Sequence, residues 1–102
     1  MKIVQETIQT GTLEEFADAH GLQMKVVERR LPVGDPCRFY ATLEGVEEKQ
    51  GNCLVGIYGN GPTLEEAIRD YAKQISMKQL VHNAMSDDRR EMLAWRLTDG
   101  EA

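Results

Sequence analysis

The chain has 102 residues, 41% of them hydrophobic and 28% charged, and a net charge of −5. That is enough for one domain around a single modest core, with the composition of an ordinary soluble globular protein. No apolar run approaches the ~20 residues of a membrane span, and the acid excess disfavours a general binder of nucleic acid.

The N-terminal stretch MKIVQETIQTG has no apolar core of the signal-peptide kind, so the expected location is cytoplasmic. Residues 2–9 alternate weakly, and read equally as a short edge strand or as a frayed end. Thr12-Leu13-Glu14-Glu15 opens a first helix, with Thr12 as N-cap, Glu15 completing a capping box and Gly21 ending it. His20 stands where its ring can meet the last carbonyls of that helix.

Leu22–Leu31 then alternates as a strand, with Leu22, Met24 and Val26 on one side and Lys25, Val27 and Arg29 on the other. The turn-rich PVGDP separates it from a second strand, Cys37–Glu44, with Phe39, Ala41 and Leu43 inward and Arg38, Tyr40, Thr42 and Glu44 outward. GVEEKQGN at 45–52 reads as a polar loop, and residues 53–59 as a third strand that Gly59-Asn60-Gly61-Pro62 stops. Thr63 caps a second helix over 64–75, Glu66 completes its capping box, and Leu64, Ala67, Ile68, Tyr71, Ala72 and Ile75 form its apolar stripe. In residues 77–102, segments 80–85 and 91–97 carry patterns compatible with a helix or with strands, and the alternation favours extended structure.

The expected fold is therefore α+β, a single domain with an antiparallel three-stranded meander and both helices on one face (α-β-β-β-α). Its core spans about 12–76, and a C-terminal extension over 77–102 adds strands. The two cysteines, Cys37 and Cys53, make no disulfide framework and read as reduced thiols acting as small buried hydrophobes. Metal, phosphate-loop and nucleophile signatures are missing, and the adjacent carboxylate pairs diverge on a helix, so neither an enzyme nor a cofactor is expected. The surface that stands out is the outward face of the sheet, where Lys25, Arg29, Arg38, Tyr40, Leu54 and Tyr58 should gather. Tyrosine and arginine are the side chains that anchor interfaces.

The helix–three strands–helix order over Thr12–Ile75, with GNGPTLEEA opening the last helix, resembles the double-stranded-RNA-binding domain fold. That resemblance implies nucleic-acid contact through Lys25, Arg29 and Arg38, although Glu65 and Glu66 stand where that family carries lysines. CLVGIYGNGPTLEEAIRDYAKQI is similar to the end of a HicB-type antitoxin domain, which implies a small basic toxin as partner. FADAHGLQMKVVERR together with GNGPTLEEAIRDYAKQIS is similar in style to small accessory proteins of tailed-phage and prophage genomes. This last resemblance implies action in the host cytoplasm on a host protein, such as inhibition of a defence system of the CRISPR type. Glu47 and Glu48 would then stand in for phosphates on the partner's nucleic-acid-binding surface.

Overall fold

The computed structural model describes residues 8–101. It is α+β, with two helices and antiparallel sheets in one globule. The expectation for residues 2–9 falls almost wholly outside the described residues, which open into a two-residue strand β1 (Thr10–Gly11).

Helix α1 (Leu13–His20) begins with the expected capping box, in which the Thr12 hydroxyl accepts from the Glu15 N–H and the Glu15 carboxylate accepts from the Thr12 N–H. Gly21 ends it at φ +64°, the left-handed conformation that glycine adopts without steric cost. So short a helix is marginal alone. Its stability comes from burying Leu13, Phe16 and Ala17, each large side chain worth about 1.5–3 kcal/mol.

Strand β2 (Met24–Glu28) pairs antiparallel with β3 (Phe39–Leu43), and β3 pairs with β6 (Gly59–Gly61). This first sheet turns Ala41 and Leu43 inward onto helix α2 (Leu64–Ile75), whose Ala67, Tyr71, Ala72 and Ile75 complete the core. Thr63 caps α2 by accepting from the Glu66 N–H. The Glu66 carboxylate meets the Thr63 hydroxyl and not its N–H, so only half of the expected box forms.

Two segments differ from expectation. Residues expected as a polar loop contain strand β4 (Val46–Gln50), which pairs with β5 (Cys53–Gly56) around the tight turn Gly51-Asn52. Glu47, Lys49 and Gln50 mask the strand in the sequence; long-stemmed polar residues populate a strand when pairing partners on both sides hold it, here β5 and β7 (Gln79–His82). Gly59-Asn60-Gly61, expected as a stop, is itself a strand lying flush on α2. A Cβ on Gly59 would stand 2.3 Å from the Ala67 carbonyl oxygen, and one on Gly61 2.6 Å from the Ala67 nitrogen. The glycines are there for close approach of strand and helix backbones. The outer N–H of this strand is covered too, since the Asn60 N–H donates to the Asp70 carboxylate at 2.8 Å.

The expected meander is thus one long hairpin bent across two sheets. Ala41 pairs with Gly59 and Glu47 with Gly56, so residues 42–46 on one arm face only residues 57 and 58 on the other. The excess forms a bulge that turns both arms out of the first sheet and into the second, with Gly45 at φ +71° in the bend. The second sheet runs β5-β4-β7-β8, with β8 at Arg90–Leu93. Extended structure in the C-terminal segment is as expected. A last strand β9 (Arg96–Leu97) pairs parallel with β1, and a 3₁₀ turn (Thr98–Gly100) brings the Asp99 carboxylate to the Leu13 N–H at the start of α1.

Candidate protein-docking surface

Side chains alternate across a strand, so the register fixes which residues share the outer face of the first sheet. Lys25 lies opposite Thr42, and Val27 opposite Tyr40, which is opposite Asn60. Helix α2 covers the other face. Tyr40 and Tyr58, expected as neighbours, pack edge to face with ring centroids 5.6 Å apart, an arrangement worth about 0.5–1.5 kcal/mol beyond burial. The Arg29 guanidinium lies 4.6 Å above the Tyr40 ring. Its Nη1 donates to the Cys37 carbonyl at 2.6 Å and to the Asn60 Oδ1 at 2.8 Å. Among the described residues no carboxylate pairs with Arg29 or Lys25.

Beside this stack, where the hairpin bends, an open concavity of about 530 Å³ is lined by Lys25, Tyr40, Thr42, Glu44, Glu47 and Tyr58, together with neighbouring residues of both arms, Gly56 among them. It carries cationic and anionic groups around exposed aromatic surface, with Tyr58 half exposed. Thr42 fixes the bend by donating its hydroxyl to the Ile57 carbonyl at 2.9 Å. Below it the Tyr71 hydroxyl is fully buried with no hydrogen-bond partner among the described residues. Burial pushes its pKa up, against the smaller opposing influence of the neighbouring Leu43 backbone and Thr42 side chain.

Three expected members lie elsewhere. Arg38 turns away to pair with the Glu28 carboxylate at 2.7 Å and to lie 5.7 Å over Phe39. Leu54 stands on β5 in the second sheet, because the hairpin changes sheets between Ala41 and Glu47. Glu47 lines the concavity, whereas its neighbour Glu48 points to the opposite face of β4, only 9% exposed and accepting from the Gln50 amide. Glu44 and Asn60 join the site without having been named among its expected members. The alternation of 37–44 already put Glu44 beside Tyr40, but the pairing of Asn60 required a strand where glycines suggested a turn.

The expected thiols are free, but both are exposed and not buried. His20 does meet its helix end, with Nδ1 3.1 Å from the Phe16 carbonyl. His82 accepts from Arg90 at Nδ1 (3.1 Å), and the same guanidinium nitrogen donates to the His20 carbonyl. Among the described residues no group of three His, Cys, Asp or Glu side chains is placed to hold a metal ion, and no helix is long and apolar enough to cross a membrane. No known family, curated protein or solved structure matches the chain.

Proposed function

We propose that the protein is a non-enzymatic binding module that docks on a protein partner through the concavity at the bent hairpin, with Tyr40 and Tyr58 as anchors and Arg29 and Lys25 as cationic contacts. The observation that carries this reading is the mixture of groups gathered at the hollow: an edge-to-face tyrosine pair lines it together with Lys25, Glu44 and Glu47, and Arg29 stacks on Tyr40 beside it. A polyanionic backbone would meet repulsion from those carboxylates, whereas a protein surface can match both signs and cover the rings. An accessory role of the phage type fits a small acidic module of this sort. In that role it would occupy a nucleic-acid-binding surface of a host-defence protein, with Glu44 and Glu47, in place of the Glu47–Glu48 pair, opposing that surface's cations.

The test immobilises the protein and the Tyr40→Ala/Tyr58→Ala variant, exposes both to bacterial lysate, and runs mobility shifts with DNA and RNA in parallel. A protein retained by wild type and lost by the variant, without a nucleic-acid shift, supports the reading. A shift that fades steeply with salt, and no retained protein, overturns it in favour of phosphate contacts through Lys25 and Arg29.

A further inference from the structure

The second sheet ends in two unlike edges. Edge strand β8 reads Arg-Glu-Met-Leu, with Arg89 beside it, so charged side chains guard it against pairing. Edge strand β5 reads Cys-Leu-Val-Gly and carries no charge, no proline and no bulge. Gln50 and Cys53 close a two-residue hairpin turn, so they form the hydrogen-bonded closing pair, and the pattern then alternates along the ladder. It follows that Val55 bonds inward to β4, while the N–H and C=O groups of Leu54 and Gly56 point outward. Neither residue makes a hydrogen bond outside the sheet among the described residues.

We infer that β5 pairs antiparallel with β5 of a second copy of this chain, joining two four-stranded sheets into one of eight strands across a two-fold axis at Val55. The outward groups are self-complementary in that register: Leu54 of one copy exchanges two hydrogen bonds with Gly56 of the other, and the axis repeats the exchange. Val55 meets Val55 of the other copy in the close, non-hydrogen-bonded position. Side-chain shape favours the same register. The ring of Tyr58 lies over Gly56, with Cε2 3.7 Å from where a Cβ would stand, so each half-buried Leu54 meets a glycine already roofed by an aromatic ring. A heterologous strand could use the same backbone groups but would have to supply its own aliphatic residue opposite Gly56; a second copy supplies it by symmetry. The paired strands bring no like charges into contact, so the only electrostatic opposition is the net charge of −5 on each copy, which salt screens. Gly56 and Tyr58 also line the concavity, so the seam adjoins the docking surface, but the pairing itself requires no partner there.

Sedimentation of the purified full chain up to about 1 mM should show a monomer–dimer equilibrium that strengthens with added salt, the opposite trend to phosphate binding. Leu54→Pro deletes an outward donor that the monomer's ladder does not use, so this variant should keep the wild-type circular dichroism and sediment as a monomer. In a Cys37→Ser/Cys53→Ser background, Val55→Cys should cross-link to a disulfide dimer with oxidised glutathione as electron acceptor. Val33→Cys, at a position 87% exposed, should do so at least tenfold more slowly. A wild-type chain that stays monomeric throughout, a Leu54→Pro variant that is folded and still dimeric, or equal cross-linking at the two positions would each overturn the proposal.

Discussion

Gly59→Ala is the sharpest probe of how the first sheet is held on helix α2. Alanine in a strand position with ordinary φ should stabilise slightly, by about 0.4–1 kcal/mol, because the unfolded chain loses freedom. Here the added methyl would stand 2.3 Å from both the Ala67 carbonyl oxygen and the Tyr71 nitrogen, and 2.5 Å from the Tyr71 Cβ. Two of these neighbours are helix backbone, so no rotamer change relieves them. Strand β6 and helix α2 must separate. Overpacking of this kind costs about 1–3 kcal/mol when side chains can yield and more when they cannot. We expect a loss of at least ~3 kcal/mol from a total near 5–15 kcal/mol for a domain of this size. Gly51→Ala is the control: φ is +62° and, among the described residues beyond its chain neighbours, no atom lies within 4 Å of the added methyl, so only the left-handed conformation is penalised, at about 1–2 kcal/mol. Urea unfolding followed by Trp95 fluorescence gives both values. A Gly59→Ala loss no larger than that of Gly51→Ala would refute the close-approach argument.

Tyr71→Phe removes a buried hydroxyl that has no hydrogen-bond partner among the described residues, so stability in urea should be unchanged or higher, by up to ~1–3 kcal/mol; a loss above ~1 kcal/mol would mean the hydroxyl is bonded in solution, with the Leu43 backbone and the Thr42 side chain as the nearest candidates. Thr12→Ala should cost about 1 kcal/mol by thermal unfolding, since it removes the acceptor of the Glu15 N–H, and Thr12→Ser should restore most of it. Burial, then the positive charge of Arg90, holds the His82 pKa below its ordinary 6.5, with Asp88 opposing more weakly. The unfolded state therefore binds the proton more readily. The stability due to neutral His82 is full above about 6.5 and is lost as pH falls through the lower folded value. Proton NMR of the ring should give that lowered value, and His82→Gln should flatten this part of the stability profile; an NMR value at or above 6.5 would contradict it.

Much of the fold was legible because its signals are local. Thr12 and Thr63 announce both helix starts, Gly21 the end of α1, and the period of two over Met24–Glu28 and Phe39–Leu43 gives the inner and outer faces of the first sheet. Tyr40 and Tyr58 were predicted as neighbours for the same reason. Strand β4 was hidden, since VEEKQ carries no apolar alternation and becomes a strand only between β5 and a partner more than thirty residues away, β7. Strand β6 was hidden by its glycines, whose purpose lies in α2. The bulge between Ala41 and Glu47, which creates the concavity and moves Leu54 out of it, depends on a mismatch of two registers that no single segment encodes. Arg38 alternates correctly with Tyr40, but the pull of Glu28 turns it away.

The most direct test of the central claim is a double-mutant cycle on Tyr40 and Tyr58, measured by calorimetric titration of wild type, Tyr40→Ala, Tyr58→Ala and the double variant with a captured partner. Interface anchors should lose at least ~2 kcal/mol each on truncation, with a coupling of about 0.5–1.5 kcal/mol from the edge-to-face contact. A double variant that stays folded and binds as tightly as wild type would contradict the claim.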